Sequence, residues 1–73
     1  MGAGALMSNH KLINNLKVLR AKHSLTQEEL AAKVGVSRKT INVIEGGDYA
    51  PSVLLALEIA RVFDVSVEDV FNI

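Results

Sequence analysis

The segment Gln27–Gly46, QEELAAKVGVSRKTINVIEG, decides the fold. Its pattern predicts two short helices, about 27–34 and 38–45, that meet across a turn of about three residues. Ala31 is small, as it must be where the next helix crosses close by, and Gly35 can adopt the positive φ that the reversal needs. The other inward-facing positions are all apolar: Leu30, Val34, Val36, Ile41 and Ile44. Such agreement is rare in an unrelated helical hairpin.

Capping signals outside this segment predict three more helices. A polar residue suited to the N-cap precedes each predicted helix: Asn14, Thr26, Ser37, Ser52 and Ser66. Glu29 and Asp69 stand where a capping box needs them. The chain is therefore predicted to be all-α, with helices at about 15–23, 27–34, 38–45, 53–63 and 67–72.

One domain, residues 11–73, accounts for the ordered part of this short chain. Residues 1–10 are predicted to be a flexible N-terminal segment or an added leader. Lys11–Asn14 is expected to form a short extended arm, packed against Phe71–Ile73.

The apolar content, 49% of residues, is high for 73 residues. Val53–Phe63 is interrupted only by Glu58 and Arg61, which predicts a central helix wrapped by its neighbours. Further apolar residues, with little chain left to cover them, follow near the end: Val67, Val70, Phe71 and Ile73. This surplus predicts a homodimer through the fourth and fifth helices.

Charge is strongly polarised along the chain although the net charge is zero. Residues 1–40 contain seven basic and two acidic residues, a net of +5, whereas residues 41–73 contain one basic and six acidic residues, a net of −5. Such asymmetry can turn one face of the molecule toward phosphate and the other away from it.

Several function classes are disfavoured by what the sequence lacks. With no cysteine, a disulfide framework and a thiolate metal site are excluded. His10 and His23 lack the spaced His or carboxylate partners that a metal site needs, so no metal or other cofactor is expected. No second domain is predicted that could sense a small molecule, so no small-molecule ligand is expected. No Ser-His-Asp set or phosphate loop indicates an enzyme. The absence of a long apolar run or secretory leader predicts a soluble, cytoplasmic protein with no membrane contact.

The chain resembles the phage-repressor and Cro-type helix-turn-helix regulators, also called the xenobiotic-response-element (XRE) type. The resemblance covers about Ile13 to Ile73 and rests on Leu19-Arg20, Leu25–Ala31, Val36–Glu45 and Pro51–Phe71. It implies a compact five-helix, lambda-repressor-like domain whose second and third helices form the helix-turn-helix. The partner implied by the resemblance is double-stranded DNA.

The same resemblance assigns roles to individual residues. The third helix of such proteins enters the major groove, and the second crosses the DNA backbone. The candidate DNA-binding residues are Gln27, Ser37, Arg38, Lys39, Thr40, Asn42 and Tyr49. Arg20 and Glu45 match a pair that forms a salt bridge between the first and third helices. Asp48 departs from the basic or polar residue common at its position and would repel phosphate unless it points away.

These features predict a regulator of transcription that binds a palindromic operator as a homodimer. Repression by occupying a promoter is the simplest outcome, and activation stays open. The alternative is an antitoxin or another protein-interaction module built on the same fold. Such a module should expose apolar residues on the third helix, whereas this chain places Ser37, Arg38, Lys39 and Thr40 there.

Overall fold

The computed structural model describes residues 11–73, and the predicted N-terminal segment, residues 1–10, lies outside the described residues. Five helices and a small two-stranded sheet follow one another in the order β1 (Ile13–Asn14), α1 (Leu16–His23), α2 (Gln27–Val34), α3 (Arg38–Glu45), α4 (Val53–Phe63), α5 (Val67–Val70) and β2 (Phe71–Asn72). The predicted bounds of α2, α3 and α4 are confirmed.

The end of the chain differs from the prediction. The last helix stops at Val70 instead of 72, because Phe71 adopts extended backbone, with φ −127° and ψ 131°. β2 then pairs antiparallel with β1, with Ile13 opposite Asn72 and Asn14 opposite Phe71. The predicted extended arm is thereby confirmed, and the pairing satisfies backbone groups that would otherwise be left open at the chain end.

The first helix is capped by a different residue from the one predicted. Asn15, not Asn14, occupies the N-cap position. The Asn15 side chain instead donates to the Asp69 carbonyl, 3.0 Å away, and so ties α1 to α5. Asn14 Oδ1 accepts from the Leu16 backbone N–H at 3.2 Å, so the predicted residue still satisfies a free donor of this helix.

The caps predicted for α2 and α3 are confirmed. Thr26 Oγ1 accepts from the Glu29 N–H at 3.0 Å, and the Glu29 carboxylate accepts from the Thr26 N–H at 2.9 Å. α2 ends at Gly35, whose φ is +76°. Ser37 then caps α3 by accepting from the Thr40 N–H at 3.2 Å. Each helix end is therefore fixed by local chemistry, which sets the angle between α2 and α3.

All five helices supply the core. The side chains with almost no exposed surface include Leu16, Leu30, Ile41, Ile44, Ile59, Phe63 and Val70. Because α3 contributes two of these, Ile41 and Ile44, its rotation about its own axis is fixed by packing.

The prediction that α4 is wrapped by its neighbours is wrong. Val53, Leu54 and Leu57 are 77%, 67% and 49% exposed; we call these three residues the open α4 face. The expectation of uncovered residues at the chain end is also wrong for Val70 and Phe71, which are buried by packing against the core. Within residues 11–73, three of the eight exposed large hydrophobic residues therefore lie together on α4, and Ile73 at the chain end is also exposed, at 72%.

Candidate nucleic-acid interface

The outward side of α3 is fixed by the burial of the inward side. With Ile41 and Ile44 in the core, the exposed residues of α3 are Arg38, Lys39 and Asn42. Residues four apart lie on the same face of a helix, so Arg38 and Asn42 form one row, and Lys39 and Val43 form a second row beside it. The outward side is therefore about two residues wide, basic at its start and mixed toward its end.

A hydrogen-bonded cluster around Glu45 holds this helix against α1 and α2. Arg20 and Glu45 form a two-point ion pair in which Arg20 Nε donates to Oε2 and Nη2 donates to Oε1, the latter at 3.1 Å. Arg20 Nη1 donates to the Leu25 carbonyl at 2.9 Å. Gln27 Nε2 donates to Glu45 Oε1 at 3.1 Å. We call Arg20, Gln27 and Glu45 the Glu45 cluster.

The pKa of Glu45 reflects this arrangement. Burial acts to raise the pKa, but hydrogen bonds from Arg20 and Gln27 outweigh it and hold the pKa below its usual value. The hydrogen bond to Glu45 raises the pKa of Arg20. Both groups are therefore charged near neutral pH. Because three of its five N–H donors are used within the protein, Arg20 is placed to position α3.

Gln27 also contacts the outward side of α3. Its amide nitrogen donates to Asn42 Oδ1 at 3.3 Å. Asn42 therefore lies on the α2 side of α3, and its own amide N–H groups are not used by this contact. The pairing brings two candidate DNA-binding residues together, one from each helix of the motif.

A broad groove of about 500 Å³ runs between Arg38 and the start of α2. Its lining includes Thr26, Gln27 and Glu28, with Arg20 at one side. The dipole at a helix start favours an anion and Arg38 adds a full positive charge, whereas Glu28 in the lining adds a negative charge. We call this depression the α2 groove.

A smaller groove of about 240 Å³ lies on the opposite side of α3 and is lined by Ser37, Lys39, Thr40, Val43 and Tyr49. Tyr49 comes from the loop after α3 and is 51% exposed. Six of the seven candidate residues thus divide between two depressions, with Gln27 and Arg38 at the α2 groove and Ser37, Lys39, Thr40 and Tyr49 at this one. We call it the α3 groove.

The loop after α3 holds the acidic residue that departs from the family pattern. The Asp48 N–H donates to the Val43 carbonyl at 3.2 Å, and with Gly47 at a φ of +83° this bond closes the C-terminal end of α3. A β-carbon added at Gly46 would lie 3.5 Å from the Asp48 carboxylate. The carboxylate therefore lies back over the end of α3, at the edge of the outward side.

Two residues near the site were not recognised in the sequence. Asn14 Nδ2 donates to the Ile44 carbonyl at 3.0 Å, so β1 holds the last turn of α3. Lys17 lines a small depression of about 140 Å³ with Gln27, Asn42, Glu45 and Gly46. The positive charge of Lys17 was visible in the sequence, but its position beside α3 depends on how α1 packs.

Comparison with known proteins gives the family. The model of the Helix-turn-helix family matches residues 16–70. An HTH-type transcriptional regulator of Methanocaldococcus jannaschii is 59% identical over 58 residues, which cover 80% of this chain and 88% of the relative. One from Bacillus subtilis is 52% identical over the same length, with the same coverage of both chains.

This chain belongs to the XRE-type helix-turn-helix family. Its fold matches the crystal structure of the restriction-modification controller protein C.AhdI from Aeromonas hydrophila with a TM-score of 0.69 and 30% identity, over 74% of this chain and 82% of that one. The chain is a DNA-binding regulator of transcription, with double-stranded DNA as its partner, and its family consists of regulators that are not enzymes.

Residues 11–73 lack two other kinds of structural feature. In residues 11–73, no helix is both long enough and apolar enough to cross a bilayer. Within that same range, no three His, Cys, Asp or Glu residues are grouped so that they could hold a metal ion.

Proposed function

We propose that the protein binds a specific operator as a homodimer, with α3 in the major groove of each half-site, and that it represses transcription by occupying a promoter. The observation that carries the proposal is the outward side of α3. It combines exposed basic and amide side chains with a backbone that is fixed by the core and by the Glu45 cluster.

The side chains of the outward side suit the edges of base pairs. Arg38 and Lys39 can donate to guanine O6 and N7 or to a phosphate. Asn42 can pair with adenine, and its contact with Gln27 limits the directions in which its amide points. Such fixed donors favour specificity because less side-chain entropy is lost on binding.

DNA phosphates on both sides of the major groove would be held by elements that flank α3. The N-terminal turn of α2 offers backbone N–H groups within the α2 groove. On the other side, the Tyr49 hydroxyl can donate to the DNA backbone. Ser37 contributes mainly as the cap of α3, since its hydroxyl oxygen already accepts from the Thr40 N–H.

The open α4 face supports the homodimer. Three neighbouring apolar side chains exposed on one helix are costly in water and are covered when two copies meet. Glu58 and Arg61 are exposed on the same helix and have opposite charges. A two-fold axis brings each residue of one copy near the other's equivalent surface, so such charges can pair across it. The interface proposed is the α4–α5 side, with α4 as the main contributor.

Two copies joined in this way would present two α3 helices to one side of a duplex. Dimers of this kind read half-sites about 34 Å apart, one turn of DNA. A palindromic operator follows from the two-fold symmetry. Occupying such a site within a promoter blocks polymerase, which makes repression the simplest consequence.

Selection from a random pool of duplex DNA tests the proposal. We expect enrichment of sequences with two inverted half-sites and a complex that contains two protein chains per duplex. Binding to the winning sequence should weaken steeply with salt because phosphate contacts release counterions. No enrichment above a nonspecific background would contradict DNA reading and favour the protein-interaction module.

A separate experiment tests the dimer surface by comparing the sedimentation of two variants, Leu54→Glu and Ala32→Glu. Both substitutions add one negative charge at an exposed helical position, but Ala32 lies on α2, outside the open α4 face. We expect Leu54→Glu to sediment as a folded monomer and Ala32→Glu to remain dimeric. Equal dimerisation of the two variants would contradict the proposed surface, and a monomeric parent protein at tens of micromolar would contradict the dimer itself.

A further inference from the structure

Val43 is an apolar residue on the side of α3 that otherwise carries polar groups. It is half-buried and lines the α3 groove, one turn after Lys39. Its neighbours in the outward rows, Lys39 and Asn42, are exposed. Packing in the core does not account for Val43, because the core positions of α3 are Ile41 and Ile44. The groove therefore has an apolar wall at the place where DNA is expected.

The hydroxyl groups at the start of the α3 groove are engaged with each other. Ser37 Oγ and Thr40 Oγ1 are 3.1 Å apart and share a hydrogen bond. Ser37 Oγ also accepts from the Thr40 backbone N–H at 3.2 Å. The remaining branch of the Thr40 side chain is its γ-methyl group. Thr40 therefore offers an apolar group as well as a hydroxyl to this side of α3.

Tyr49 and Lys39 complete the groove with different chemistry. Tyr49 contributes an aromatic side chain from the loop after α3. Lys39 adds a positive charge at the border, which favours a polyanion as the molecule that covers the groove. An apolar depression beside a cation fits a small apolar group carried by DNA, and the major groove displays one such group, the C5-methyl of thymine.

We propose that the α3 groove receives the C5-methyl group of a thymine in each half-site, which makes Val43 a specificity-determining residue. The inference rests on the proposed function, because it requires α3 to lie in the major groove. Val43 contacts the methyl group with its isopropyl side chain, and Tyr49 covers it from the loop. Discrimination then depends on one methyl group of the DNA, independently of any hydrogen bond to a base.

The test uses the operator obtained by selection, with single thymines replaced by deoxyuridine, which lacks only the C5-methyl. We expect the parent protein to bind about tenfold to twentyfold more weakly when one particular thymine in each half-site is replaced, the effect of losing two buried methyl groups. Val43→Ala should lose this sensitivity and bind the thymine and deoxyuridine duplexes almost equally.

Val18→Ala is the matched control, since it makes the same change at an exposed valine on α1, outside both grooves and the open α4 face. It should keep the full sensitivity to deoxyuridine. If deoxyuridine is tolerated at every position by the parent protein, or if Val43→Ala keeps the same sensitivity, the inference is overturned. The groove would then be free for another occupant, such as an apolar side chain of a protein.

Failure of the inference can be told apart from failure of the proposed function. A protein that enriches an operator and binds it in a salt-dependent manner, but ignores the thymine methyl groups, overturns this inference alone. A protein that enriches no sequence overturns the proposed function and this inference with it.

Discussion

α3 and α4 both bury one side and expose the other, but the chemistry of the exposed sides is opposite. α3 exposes Arg38, Lys39 and Asn42, whereas α4 exposes Val53, Leu54 and Leu57. Hydrated polar groups are stable without a partner, while a cluster of large apolar groups gains free energy when it is covered. The comparison shows how one small domain can keep a polar surface apart from an apolar one, the first proposed to bind DNA and the second proposed to bind a second copy.

The two regions are also held in different ways. α3 is fixed by the packing of Ile41 and Ile44 and, in addition, by directional contacts, namely the ion pair of Glu45 with Arg20 and the hydrogen bond from Asn14 to the Ile44 carbonyl. α4 is fixed by nonpolar packing, with Leu55 and Ile59 in the core. Directional contacts set the position of a reading helix closely, whereas packing is sufficient for a surface that recognises shape and apolar area.

The largest expected effect comes from the buried side of α4. Leu55→Ala should lower the free energy of unfolding by about 2–5 kcal/mol, because it opens a cavity in the core. Leu54→Ala, one residue away but 67% exposed, should change it by less than about 0.5 kcal/mol at a concentration low enough for monomers. Urea unfolding followed by circular dichroism measures both. Equal losses of unfolding free energy in the two variants would contradict the assignment of Leu55 to the buried side of α4 and Leu54 to the exposed side.

A smaller loss is expected in the Glu45 cluster. Glu45→Gln removes the charge that Arg20 pairs with and should cost about 2 kcal/mol, the value of a charge-assisted hydrogen bond. Glu58→Gln makes the same change at an exposed position on α4 and should cost almost nothing. Urea unfolding of both variants measures the two losses. If Glu45→Gln is as stable as the parent protein, packing and not the ion pair positions α3.

Lowering the pH should remove the stabilisation that the charge of Glu45 contributes. The folded pKa of Glu45 is lowered, so the stabilisation is complete above the unfolded value of about 4.3 and is lost as the pH falls through the folded pKa. The lowered pKa of Glu29, caused by its hydrogen bonds with Thr26, acts in the same direction. The difference in unfolding free energy between the parent and Glu45→Gln should shrink between pH 5 and pH 3, taken as roughly the window around that value. A constant difference would contradict the role of the charge.

The smallest expected effect concerns the loop beside the outward side of α3. Asp48→Asn removes a negative charge near the end of α3 without changing the size of the side chain much. We expect operator affinity to rise by about twofold to fivefold at low salt and the gain to fade at high salt, since exposed charges are screened. Titration at two salt concentrations tests this, and a loss of affinity would indicate that Asp48 makes a contact of its own.

Features set by neighbouring residues were predictable from the sequence. The capping box of Thr26 and Glu29 and the turn at Gly35 depend on a few adjacent residues, and both were predicted at the right positions. The residues that hold the candidate site in place were harder to predict. The bond from Asn14 to the Ile44 carbonyl joins residues 30 apart, and no local pattern encodes it. The Arg20–Glu45 pair, 25 residues apart, was anticipated through the family resemblance.

The exposed side of α4 shows a second limit of sequence patterns. An apolar run indicates that a helix is covered, but it does not say whether its own chain or another copy covers it. The predicted end of the last helix was wrong for a related reason. Phe71 continues the apolar helical pattern, yet its backbone leaves the helix to pair with Asn14.

The central claim is that the outward side of α3 reads the DNA sequence. The most direct measurement compares the affinity for the selected operator and for a scrambled duplex in two double variants, Arg38→Ala with Lys39→Ala, and Lys22→Ala with Lys33→Ala. Both remove two exposed positive charges. The α3 variant should lose about 1–3 kcal/mol of operator preference per base contact, and the control should keep the preference of the parent. Equal loss of preference in both variants, or an unchanged preference in the α3 variant, would contradict the claim.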